Sequence, residues 1–116
     1  DIFLALKAGV TRSGDNTNPN SAAFLSAEYE GKLNAEPALT RAQSLRAITM
    51  NSAYQLRMED KIGSIEQGKY ADLIVLEKNF MTEPEDELAR NRVILTMVGG
   101  KIVMANDELA KYQEAQ

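Results

Sequence analysis

Apolar residues recur at helical spacing over the first ten positions, where Ile2, Phe3, Ala5, Leu6 and Val10 share one side. The spacing predicts a helix over 1–10, with Asp1 as a suitable N-cap. Polar residues then take over from Arg12 to Glu36, and the run Ser13-Gly14-Asp15-Asn16-Thr17-Asn18-Pro19-Asn20-Ser21 reads as loop. Loops of that length inside a compact domain are functional or disordered as a rule, and this one leaves room for a helical turn around Ala22 to Tyr29. The helical period returns at Thr40. Thr40 and Gln43 have the spacing of a capping box, and Leu45, Ile48, Ala53 and Leu56 follow on one side, so one helix is predicted from 40 to about 58.

Beyond that helix the period shortens. Residues 62–65 and 71–76 carry strand-type side chains bounded by glycines. Leu73-Ile74-Val75-Leu76 has no polar alternation, which suggests a strand buried on both faces. Glu83-Pro84-Glu85-Asp86-Glu87 interrupts the pattern as a solvated loop or helix start. Residues 92–98 and 101–105 then flank Gly99-Gly100, and glycine at both central positions suits a two-residue hairpin turn. The tail from Asn106 to Gln116 is polar, with the look of a frayed helix. Helices followed by a meander of short strands make an α+β chain.

Composition narrows the chemistry. The 116 residues include no cysteine and no histidine, and the net charge is −4. Disulfides, zinc sites of the ordinary type, and Ser-His-Asp or Cys-His nucleophiles are excluded together. The negative balance argues against nucleic acid and anionic membrane surfaces as partners, and no apolar run approaches the ~18–20 residues of a spanning helix. The chain opens on Asp1 rather than Met, as a processed or truncated piece would.

Few motifs are left to carry function. Gly63-Ser64-Ile65-Glu66-Gln67-Gly68-Lys69-Tyr70 follows the phosphate-loop pattern until Tyr70 replaces the required hydroxyl. A strand pattern comes next, where a phosphate loop needs a helix N-terminus; two glycine turns between strands account for the same residues. Asp60, Glu66, Asp72 and the acids at 83–87 are hard-cation ligand types without calcium-loop spacing. Asp72 is better suited to accepting backbone N–H groups where a strand begins. Arg12 has the forked guanidinium to clamp a substrate carboxylate or carbonyl; the structural alternative is a pair with a nearby acid such as Asp15, or with helix-terminal carbonyls. Met50, Met58, Met81, Met97 and Met104 are spread as core fillers rather than as a groove.

The stretch from Arg41 to Phe80, followed by Val93-Ile94-Leu95-Thr96-Met97-Val98-Gly99-Gly100-Lys101-Ile102-Val103-Met104, resembles the C-terminal end of metal-dependent amidohydrolases, in the branch that includes N-substituted formamide deformylases. The residues carrying the resemblance are Ala53, Gly63, Ser64, Ile65, Glu66, Gly68, Lys69, Ala71, Asp72, Leu73, Thr96, Val98, Gly100 and Lys101. Gly9-Val10-Thr11-Arg12 is similar to the segment this branch carries after its last catalytic strand. The resemblance implies an α+β piece. Residues 1–60 would be terminal helices of a TIM barrel with their connecting loop, 61–106 strands of a small composite β-sandwich with the Gly99-Gly100 hairpin, and 107–116 a polar tail. It implies that the parent cleaves carbon–nitrogen bonds of small amide-like substrates with a divalent metal, zinc foremost. It also implies that every metal ligand and catalytic residue lies upstream, so no catalytic, cofactor-binding or metal residue is assigned here. The implied partner is the rest of the parent polypeptide, with self-association when the piece is isolated. The alternative is a free-standing interaction or regulatory module without catalysis, of the kind named exoenzyme regulatory protein. With neither imidazole nor thiolate, the dialysed polypeptide should retain no stoichiometric zinc or iron; elemental analysis showing one tightly held transition metal per chain would contradict this.

Overall fold

The computed structural model describes residues 2–14, 19, 22–26, 28, 31–32 and 35–116. The expectations placed on Asp1, Asp15 and Tyr29, and most of the predicted loop at 13–21, lie outside the described residues. The chain divides into two compact units, Asp1–Leu45 with Phe80–Arg90, and Arg46–Asn79 with Asn91–Gln116.

In the first unit, α1 (Ile2–Thr11) buries Phe3, Leu6 and Val10, the stripe that the sequence periodicity marks. This face packs on a 3₁₀ segment, Glu85–Arg90, whose Leu88 is wholly buried. The helix stops at Arg12, which takes a left-handed φ of 54° and donates its N–H to the Ala8 carbonyl at 2.7 Å. Gly9 lets the first turn of α3 come close, since a Cβ there would lie 3.0 Å from Ser44 Oγ. That hydroxyl is buried and donates to the Leu6 carbonyl at 3.3 Å. Within the predicted loop are a short α2 (Ala22–Leu25) and a two-residue antiparallel pair, β1 (Ser13–Gly14) with β2 (Gly31–Lys32). The acidic run is not simply solvated. Glu83 is only 6% exposed, because buried Phe80 and Leu88 draw the segment inward and Arg41 donates to the Phe80 carbonyl at 2.7 Å.

The predicted long helix is two. The capping box forms in both directions: the Thr40 N–H donates to Gln43 Oε1 at 2.9 Å and the Gln43 N–H to Thr40 Oγ1 at 3.1 Å. Helix α3 (Arg41–Ile48) then breaks at Thr49, before α4 (Met50–Gln55). The β-branched pair Ile48-Thr49 is a poor helix former, and Ser52 Oγ takes up the Ala47 carbonyl at 2.9 Å, a group that a continuous helix would bond through its own backbone. Helix α4 closes with the Arg57 N–H on the Tyr54 carbonyl and the Met58 N–H on the Ala53 carbonyl. This is a Schellman stop with Arg57, at φ 56°, in the place glycine usually takes. Leu56, expected on the buried side, is exposed as a result.

Residues 62–65 form no strand. They run as turns against α4, and Gly63, at φ +93°, sits where a Cβ would fall 2.7 Å from the Ala53 Cβ. The sheet of the second unit has the order β3-β4-β5, all antiparallel, from Leu73–Leu76, Val93–Val98 and Lys101–Ala105. Gly99 and Gly100, at φ 57° and 81°, make the two-residue turn joining β4 to β5. Asp72 Oδ1 accepts the Gly99 N–H at 2.7 Å, and the Ala71 carbonyl accepts the Gly100 N–H at 3.0 Å, so the start of β3 grips that turn. Strand β3 is not buried on both faces, as its unbroken apolar run suggests: Ile74 and Val75 are exposed, because β3 is an edge strand of a single small sheet. The methionines are not core either, since none is fully buried and Met81 and Met104 are exposed.

Two amides bracket backbone groups. Buried Asn91 accepts the Lys78 and Arg92 N–H groups and donates to the Lys78 carbonyl. Gln116 accepts the Ile102 N–H at 2.8 Å and donates to the Ile102 carbonyl at 2.7 Å. The C-terminal residues are thus tied down, through α5 (Ala110–Glu114) packed on β5, rather than forming a loose polar tail. The tightest backbone approach predicts the largest single effect. Gly63→Ala combines a left-handed φ with a clash on Ala53, and should lower unfolding stability by about 2–4 kcal/mol, measured by denaturant titration; an unchanged midpoint would show that α4 and the loop give way freely.

Candidate functional site

The phosphate-loop lookalike at 63–69 is closed on itself. Lys69 Nζ donates to Ser64 Oγ at 2.7 Å and pairs with Glu66 Oε2 at 2.9 Å, while Ser64 Oγ donates to the same carboxylate oxygen at 3.0 Å. The Lys69 side chain is only 9% exposed, with Met50 Sδ at 3.9 Å from Nζ. No helix follows: the chain passes through Tyr70, whose N–H is held by the Lys61 carbonyl at 2.9 Å, into β3. A phosphate would find neither a helix N-terminus nor an available lysine. The sequence offered Lys69 only as part of an incomplete phosphate loop and Glu66 only as a hard-cation ligand type without the right spacing, and the structure joins them to each other. Their i,i+3 spacing with Ser64 beside them was the available signal.

Arg12 lies elsewhere, on the wall of a concavity of about 610 Å³ at the C-terminal end of α1, with Ser13, Glu28, Lys32, Pro37 and Leu39 among its neighbours. That size is in the range of small-molecule clefts. Asp60, Glu66 and Asp72 do not converge. The divalent metal implied by the resemblance does not fit this chain, which holds no histidine or cysteine and in which no three acidic side chains come together among the described residues.

The Glu66 carboxyl is held below the usual carboxylate range, first by its hydrogen bond from Lys69, then by Ser64 and by the lysine charge. A carboxylate depressed in the folded state adds stability above its unfolded pKa, and that stability is lost as pH falls through the folded value. The Lys69–Glu66 pair should therefore be intact at neutral pH and lost only below the ordinary glutamate range, with a small effect on the 63–69 loop because Glu66 is exposed. Amide exchange at 64–69 followed against pH is the check. Glu66→Gln should remove the acid-dependent step, and a step that persists in that variant would assign the titration to another group.

With this geometry in view, similarities to known proteins fall into place. The amidohydrolase family matches residues 13–104. An imidazolonepropionase of Streptococcus gordonii is 37% identical over 67 residues, 58% of this chain and 22% of the relative. One from Micrococcus luteus is 39% identical over 74 residues, 62% of this chain and 18% of the relative. A 5'-deoxyadenosine deaminase of Methanobrevibacter smithii is 35% identical over 89 residues, 68% of this chain and 20% of the relative. The chain thus spans about a fifth of the length of these curated relatives. No solved structure matches it significantly. The match runs from β1, just past α1, through the closed loop, the gripped hairpin and nearly all of β5, and on that span the chain belongs to the amidohydrolase family.

Proposed function

We propose that this chain is the C-terminal part of a longer hydrolase that cleaves carbon–nitrogen bonds in non-peptide, amide-like substrates. The observation that carries the proposal is a family match over 13–104 in a chain with no histidine and no cysteine. The deaminase among the relatives fits carbon–nitrogen cleavage, and the string of matched residues from Ala53 to Lys101 is the reason to set the parent near the N-substituted formamide deformylases. In this reading the chemistry and its divalent metal, zinc foremost, belong to residues outside the 116.

The contribution of this chain is then packing. Its helices complete a TIM barrel, and β3–β5 supply strands of a small composite β-sandwich. Ile74, Thr96 and Met104 stand in register across the sheet, with Val98 two places along β4. Exposed Ile74, Val98 and Met104 form the apolar face that the other strands of such a sandwich would cover. In isolation a second copy would cover it. Arg12 is not a substrate clamp in this arrangement. In TIM barrels the reacting groups lie at the C-terminal ends of the strands, hence near the N-terminus of the helix that follows. Ten-residue α1 puts Arg12 about 15 Å further on.

Assay of the native gene product beside the isolated 116 residues tests the proposal. The native product should turn over amide-like substrates and lose activity to a chelator, while the 116 residues show none. Chelator-resistant turnover by the purified 116 residues would overturn it, as would a native product no longer than this chain, which would favour the free-standing module.

A further inference from the structure

Ile65 is 87% exposed, yet the loop that carries it is not loose. Gly63 abuts Ala53 on one side. On the other, Lys69 binds both residues that flank Ile65 in sequence, Ser64 at 2.7 Å and Glu66 at 2.9 Å. The Lys69 N–H also closes a turn on the Glu66 carbonyl at 3.2 Å, and the Tyr70 N–H is held by Lys61. An exposed isoleucine alone is ordinary. A branched apolar side chain held out on an internally bonded loop is a preorganised contact, because its ordering cost has already been met when a partner arrives.

We infer that Ile65 is a docking knob that inserts into an apolar pocket on the part of the parent polypeptide outside these 116 residues. The inference rests on the proposed parent. The occupant follows from length: the relatives are roughly five times as long as the part they share with this chain, which covers 22%, 18% and 20% of them, and the loop lies inside the family match at 13–104. A contact of this kind is separate from the covered sheet face, because Ile65 belongs to no strand.

Thiol labelling of the native full-length product reads the contact directly. Ile65→Cys and Gln67→Cys are made separately, exposed to a small maleimide, and the label on the peptide spanning 63–69 is followed by mass spectrometry. Both positions are exposed in this chain. In the native product I65C should label at least about tenfold more slowly than Q67C, the protection expected of a site that reacts only after local opening, and the two should react equally in denaturant. A melting curve for each variant shows that it is folded. Equal labelling of the two folded variants would overturn the docking knob while leaving the parent reading intact. Slow labelling of I65C that speeds up when an oligomer is diluted to monomer would overturn the occupant in favour of a second copy. A native product of only 116 residues would overturn the parent reading itself, and the knob with it.

Discussion

Gly63 meets α4 so closely that a single methyl group at its Cα would fall 2.7 Å from the Ala53 Cβ. Much of the second unit is set by that approach. It brings 62–65 across the helix as turns rather than as a strand, and it places Ser64 and Glu66 where Lys69 reaches both. It also leaves Tyr70 to start the run into β3 from a fixed point on Lys61. The Schellman stop at Arg57 is what allows the chain to fold back over Ala53 at all, since the Met58 N–H is bonded to the Ala53 carbonyl. Helix end, glycine contact and lysine anchor act as one piece of local architecture.

The sheet beyond it is held by side chains that behave like backbone. Asp72 captures the Gly99 N–H, Asn91 brackets Lys78, and Gln116 brackets Ile102. A three-stranded sheet offers few ladder bonds and two open edges. A side-chain amide carries its acceptor oxygen and a donor N–H side by side, so Gln116 meets both backbone groups of Ile102 on the β5 edge as a residue of a further strand would. The Arg92–Glu77 pair at 2.6 Å adds a contact next to the Asn91 clamp. Its carboxylate is lowered and its guanidinium raised by their mutual hydrogen bond, but both groups face solvent, and exposed pairs contribute little to stability.

The likeness to an enzyme family and the absence of histidine and cysteine from this chain are compatible once residues that build turns are separated from residues that do chemistry. The matched glycines, Asp72 and Lys69 serve turns, a hairpin grip and a loop anchor. Gly63, Gly68, Gly100, Asp72 and Lys69 are not among the residues lining the concavity beside Arg12. A long motif string is therefore informative about architecture, and through architecture about kinship.

Features decided within a few residues were legible in the sequence: the Thr40–Gln43 capping box, the Gly99-Gly100 turn, the α1 stripe, and Asp72 as a backbone acceptor. Each depends on a local match between residue type and backbone conformation, which one chain carries in its own order. The turns at 62–65, the burial of Glu83 and the exposure of β3 were not legible, because each depends on what packs against the segment. What Leu88 packs on, what lies against Gly63, and whether an apolar strand has a neighbour on each face are settled by residues outside the segment itself. Local periodicity states what a segment would bury; only the tertiary structure decides what is there to bury it against.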